Sequence, residues 1–131
     1  MSDKVVILII DDDTDIATVI RYCFANQPNI ELFYASSGED GLKIALEKEP
    51  HVILLDVIMP RMSGIETYKA LRLIPKLNQT CIIFLTAKSQ KSEIQQYLDL
   101  GAFAVIPKPF DPLTLSNQVL ALYDEYKEQK T

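Results

Sequence analysis

The sequence predicts an α/β protein built on a parallel sheet with helices on both faces. Three observations carry this. Short apolar runs rich in β-branched residues alternate five times with segments whose apolar residues recur at helical spacing. The clearest runs are apolar throughout instead of alternating with polar residues, which marks strands covered on both sides. No domain boundary, low-complexity segment or solenoid repeat interrupts the strict strand-helix alternation, which implies a parallel sheet.

Taken in order, Val5-Val6-Ile7-Leu8-Ile9-Ile10 is the first strand, and Asp11, Asp12 and Asp13 follow it. Asp13 reads as the cap of a helix and Asp15 as an acid placed to favour its dipole. Ile16, Val19, Ile20, Cys23 and Phe24 form that helix's apolar face, and Asn26-Gln27-Pro28-Asn29 breaks it. A second strand runs from Ile30 to Ala35, and Ser36-Ser37-Gly38-Glu39-Asp40 offers a serine cap with an acid three residues on. Leu42, Ala45 and Leu46 line the next helix, which Pro50 ends.

Val52-Ile53-Leu54-Leu55 is the third strand and closes on Asp56. In the loop after it, Met59 and Met62 read as packing residues and Gly64 as the glycine of a turn. A helix with Ile65, Tyr68 and Leu71 begins there, and Pro75 lies past its end. The fourth strand, Cys81-Ile82-Ile83-Phe84-Leu85, stops at Thr86. Lys88 and Lys91 read as a solvated face near the helix of Ile94, Tyr97 and Leu98, which closes at Gly101. The fifth strand spans Phe103 to Ile106 and runs into Pro107-Lys108-Pro109-Phe110. The last helix carries Leu115, Val119, Leu122 and Tyr123, with a charged tail from Asp124 to Thr131 expected to fray. One domain over 1–131 is expected, with a core of about 4–124.

Composition bounds the function. With 131 residues, 48% of them hydrophobic, the chain can bury a core without disulfides or structural metal. No apolar run approaches the ~20 residues that span a bilayer. Met1-Ser2-Asp3-Lys4 lacks the features of a signal peptide and leads straight into a strand, so a cytoplasmic protein is expected. The net charge of -5 disfavours direct nucleic-acid binding. Cys23 and Cys81 read as reduced core thiols, and the lone His51 as a strand-entry residue and not a ligand or base.

The positions of the polar residues say more. Asp11 and Asp12, Asp56, Thr86 and Lys108 each follow or end a different apolar strand, at the carboxyl edge where open α/β sheets place their sites. Three clustered carboxylates repel one another and push a pKa up unless a cation joins them. Mg²⁺ suits oxygen ligands and phosphoryl chemistry. Lys108 supplies a point charge, Thr86 a hydroxyl donor, and Asp56 a carboxylate able to act as nucleophile.

Ile9-Ile10-Asp11-Asp12-Asp13, Leu55-Asp56-Val57-Ile58-Met59-Pro60 with Gly64, Phe84-Leu85-Thr86-Ala87 and Lys108-Pro109-Phe110 together resemble the motifs of response-regulator receiver domains, the CheY-like family of two-component phosphorelay signalling. The resemblance implies a single-domain flavodoxin-like (βα)5 three-layer sandwich with strand order 2-1-3-4-5, an order for which a member of this family is a stock illustration. It implies that Asp56 takes a phosphoryl group from a phosphohistidine of a sensor histidine kinase or histidine phosphotransfer protein. It implies Mg²⁺ held by Asp12, Asp56 and the backbone carbonyl of Ile58, with Asp11 acting through water, Lys108 on the phosphoryl oxygens and Thr86 shifting toward them. A cis Lys108-Pro109 bond is implied too. So is a module that catalyses at most its own phosphorylation and dephosphorylation, and that changes a partner-binding surface. The face of the fourth helix, fifth strand and fifth helix is implied for partners or a homodimer.

Two positions depart from the family pattern. Val105 stands where many members carry an aromatic that swings inward, with Phe103 on the same strand face as a partial substitute, and Pro107 removes a backbone donor. Two other functions stay open at this level. One is a haloacid-dehalogenase-like Mg²⁺-dependent phosphatase using Asp11, although Asp15 stands where that motif has Thr or Val. The other is a degenerate receiver acting only as a binding module. The output partner is not legible.

Overall fold

The computed structural model describes residues 4–130, so Met1, Ser2 and Asp3 of the expected N-terminal lead, and Thr131 of the expected tail, lie outside the described residues. The strands are β1 (Val5–Ile10), β2 (Ile30–Ala35), β3 (Val52–Asp56), β4 (Cys81–Thr86) and β5 (Ala104–Pro107). The helices are α1 (Thr14–Cys23), α2 (Gly38–Lys48), α3 (Gly64–Arg72), α4 (Lys91–Leu100) and α5 (Leu115–Lys130). All five strands are parallel in the order β2-β1-β3-β4-β5. This is the flavodoxin-like arrangement.

Alternate residues of the central strands feed two cores. Leu8, Ile10, Ile53, Leu55, Ile82 and Phe84 pack on one side with Ala45, Tyr68, Leu71 and Tyr97 of α2, α3 and α4. Ile7, Ile9, Val52, Leu54, Cys81 and Ile83 pack on the other with Ile20, Leu115, Val119 and Tyr123 of α1 and α5. Side chains that alternate across a strand make two cores from one apolar run. Helix starts follow local chemistry: Asp13 accepts from the Asp15 N–H, Ser37 from the Asp40 N–H, and Ser63 and Glu66 form a capping box. Gly101 ends α4 with φ 117°, a value that suits glycine.

Several expectations are corrected. Helix α5 does not fray after Asp124; it continues to Lys130, and Tyr126 is buried against Phe103 with ring centroids 5.2 Å apart. The packed core therefore extends past the expected limit at 124. A 3₁₀ turn, Pro75–Leu77, follows α3 and buries Leu77 completely. Gly64 stands where the loop turns into α3, and beyond that expectation it supplies space: a side chain there would collide with the backbone of Asp56 and Val57. Phe103 precedes β5 and packs in the α1/α5 core, whereas Val105 packs on the α2–α4 side, so the two do not share a face.

Both cysteines are free; Cys81 is buried and Cys23 only half-buried. His51 is exposed just before β3, where its Nδ1 accepts a hydrogen bond from the Val6 N–H at 2.9 Å. No helix among the described residues is long and apolar enough to cross a membrane.

Candidate functional site

The carboxyl ends of β1, β3 and β5 converge on one cleft of about 370 Å³, lined by Asp11, Asp12, Asp13, Asp56 and Lys108 together with Ile58 and Ala87. β1 delivers Asp11 fully buried. Its N–H donates to the Ala35 carbonyl at 3.1 Å, and its Oδ1 accepts the Asp13 N–H at 2.9 Å, which turns the chain into α1. β3 delivers Asp56, only 5% exposed. The loop after it folds back through a Gly64 N–H bond to the Val57 carbonyl at 2.8 Å, made possible by the missing Gly64 side chain.

β5 is tied to β4 where the Lys108 N–H donates to the Thr86 carbonyl at 2.9 Å, and the Lys108-Pro109 bond is cis as expected. From there the Lys108 ammonium reaches Asp11 Oδ2 at 2.8 Å and Asp56 Oδ1 at 3.3 Å. One cation thus bridges two buried carboxylates, which neutralises them only in part. Carboxylate oxygens of Asp11, Asp12 and Asp56 lie within 4.8 Å of one another. A set of hard oxygen donors so close together suits Mg²⁺.

The electrostatics follow from burial. Desolvation pushes the Asp56 carboxyl up to about 6, the neighbouring Asp11 charge adds to this, and Lys108 with the Ile58 N–H opposes it. Burial pulls the Lys108 ammonium down, but its hydrogen bond and attraction to Asp11, then to Asp56, outweigh that and leave it raised. Lys108 is held as a cation between its partners.

The oxygens of the two buried carboxylates are used differently. Both Asp11 oxygens are engaged, one by Lys108 and one by the Asp13 N–H. In Asp56 the contacts from Lys108 and from the Ile58 N–H, at 3.4 Å, both fall on Oδ1. Oδ2 makes no protein hydrogen bond among the described residues.

Five of the six residues expected at the site therefore line one cleft: Asp11, Asp12, Asp56, Ile58 and Lys108. Thr86 ends the neighbouring strand, fully buried, with its hydroxyl oxygen accepting the Lys88 N–H at 2.9 Å, and Ala87 takes its place in the wall. One contributor was missed by the sequence reading. Tyr34, in β2, donates its hydroxyl proton to the Asp11 backbone carbonyl at 2.7 Å. No sequence motif marks it; only the register that sets Tyr34 beside Ile9 reveals it.

The response regulator receiver domain model matches residues 7–120. The chain belongs to that family. It is similar to a probable chemotaxis protein CheY of Rhizobium etli, 28% identical over 127 residues that cover 97% of this chain and 98% of that protein. It is also similar to the alkaline phosphatase synthesis transcriptional regulatory protein PhoP of Bacillus subtilis, 35% identical over 116 residues, 88% of this chain. There the chain spans about half the relative's length, 47%. Among solved structures it resembles the chemotaxis response regulator CheY4 of Vibrio cholerae, with TM-score 0.83 and 28% identity over 91% of this chain and 98% of that one. The chain is a CheY-like receiver domain of two-component signalling, a signalling module. Family membership, with both Asp11 oxygens engaged, sets aside the dehalogenase-like phosphatase reading.

Proposed function

We propose that Asp56 accepts a phosphoryl group from a phosphohistidine on a sensor histidine kinase or histidine phosphotransfer protein. The observation that carries this is the asymmetry of the buried carboxylates: Asp56 alone keeps an oxygen, Oδ2, free of protein hydrogen bonds while its Oδ1 touches Lys108. In the reaction Oδ2 attacks phosphorus, the phosphorus–nitrogen bond of the donor breaks, and an aspartyl phosphate forms. Lys108, released in part from Asp56 Oδ1, meets the phosphoryl oxygens, and Thr86 donates its hydroxyl to one of them. Hydrolysis of the aspartyl phosphate returns Asp56 to its starting state.

Asp12, Asp56 and the Ile58 backbone carbonyl would hold Mg²⁺, with Asp11 beside it through water. When bound, that ion neutralises the carboxylate cluster and the charge on the phosphoryl oxygens. The reading takes the whole chain, 1–131, as one receiver domain acting in the cytoplasm. Its changed surface would be the face of α4, β5 and α5, offered to a protein partner or a second copy. Val105 cannot relay a Thr86 shift as an aromatic would, so the change on that face is smaller or differently routed.

Incubation with acetyl phosphate and Mg²⁺ tests the acceptor. Stoichiometric labelling is expected, abolished in Asp56→Asn. No labelling of the native chain, together with no binding of beryllofluoride, would favour a degenerate receiver that only binds. Labelling that survives Asp56→Asn would sink the assignment.

A further inference from the structure

We propose that Tyr34 is a positioning residue for the acidic turn: its hydroxyl fixes the Asp11-Asp12 peptide, and through it the carboxylate that Asp12 presents to a divalent cation. The inference rests on the reading of Asp12 as a cation ligand.

Tyr34 sits near the end of the edge strand β2, paired with Ile9, and its half-buried ring packs in the α1/α5 core. The hydroxyl crosses from there to the Asp11 carbonyl at 2.7 Å. That carbonyl and the Asp12 N–H belong to one planar unit. A bond to the oxygen fixes the plane, and the plane sets the direction in which the Asp12 side chain leaves the backbone.

Asp12 needs this help and Asp11 does not. Asp11 is anchored at its N–H by the Ala35 carbonyl and at both carboxylate oxygens. Asp12 is exposed, and its carboxylate makes no hydrogen bond or ion pair among the described residues. An exposed side chain that must be ordered to bind a cation loses rotamer and backbone freedom, and pre-fixing the peptide removes part of that cost. An ordinary phenol keeps its proton at neutral pH, so the Tyr34 hydroxyl remains a donor to the Asp11 carbonyl.

Tyr34→Phe keeps the ring and removes only the donor. In calorimetric titration of the full chain with Mg²⁺ alone, its dissociation constant should rise about two- to tenfold, the range expected for one lost hydrogen bond. The Asp11 carbonyl ¹³C shift should move in the absence of the ion, reporting the freed peptide. A purely structural Tyr34 would lower the melting temperature and leave Mg²⁺ affinity unchanged, and that result overturns the inference. Asp12→Asn separates the two levels. If it loses Mg²⁺ binding while Tyr34→Phe binds as the native chain does, the positioning role alone fails. If it binds Mg²⁺ like the native chain, the cation reading fails and the inference with it.

Discussion

The two ends of the sheet hold clefts of nearly the same size, about 370 Å³ at the carboxyl end and about 380 Å³ at the amino end, and they are built on opposite principles. At the amino end the buried polar groups are neutral and satisfied. The Thr80 hydroxyl donates to the Pro50 carbonyl at 2.9 Å and the Tyr126 hydroxyl to the Thr80 carbonyl at 3.3 Å. At the carboxyl end two buried carboxylates share one ammonium, and a third carboxylate stands exposed beside them. Cleft volume does not distinguish the two. What does is that one end closes its strands and the other leaves charge only partly compensated, ready for a cation or a phosphoryl group.

The strongest way to break this comparison is to remove the shared cation. In Lys108→Ala, Asp11 and Asp56 face each other buried and unpaired, a defect that costs about 3 kcal/mol or more. The cost should depend on pH with a definite sign. Asp56 already has its folded pKa at about 6, above the ordinary 3.8, and losing Lys108 removes the main effect that lowers it. The folded state then binds the proton more tightly than the unfolded chain. Stability is recovered as pH falls through the raised value, and the full penalty is present above it. Urea unfolding near pH 7 and again near pH 5 checks this; a deficit equal at both would mean that the carboxyl end is not electrostatically strained.

The same strain predicts a gain elsewhere. Asp56→Asn removes a carboxylate that burial holds at about 6 and should stabilise the fold near pH 7 by roughly 1–2 kcal/mol. The gain is less than the whole shift would give, because Lys108 keeps only Asp11 as a partner. This variant should therefore melt higher than the native chain while accepting no phosphoryl group. A lower melting temperature would place Asp56 among the stabilising contacts.

The two ends also differ in how much of them a sequence can disclose. Asp11, Asp56 and Lys108 were legible because each interrupts an apolar run at the edge where parallel sheets carry sites, and the strands themselves were found within about a residue. Tyr34 was not, since its bond to Asp11 depends on the pairing of β2 with β1, which no local pattern encodes. Phe103 was placed on the wrong face because β5 begins only at Ala104, so strand alternation does not extend back to it. Tyr126 was hidden in a charged stretch, although it lies three residues beyond the buried Tyr123 on the same side of α5. Gly64 was recognised for its turn into α3, whereas the crowding by Asp56 and Val57 that also demands it is a tertiary fact.

The smallest effect tests the quiet end. Thr80 is 5% exposed, and its hydroxyl serves one partner, the Pro50 carbonyl. Thr80→Val keeps the shape and removes the donor, leaving that carbonyl without its bond at a cost of about 1 kcal/mol. The loss should not vary between about pH 5 and pH 7, since neither group titrates there. Labelling of Asp56 should match the native chain, because the strand ends that carry the site lie at the other edge of the sheet. Chemical denaturation paired with acetyl phosphate labelling reads both. A labelling defect without a stability defect would mean that the two ends are coupled through β3 and β4, and the division drawn between them would have to be abandoned.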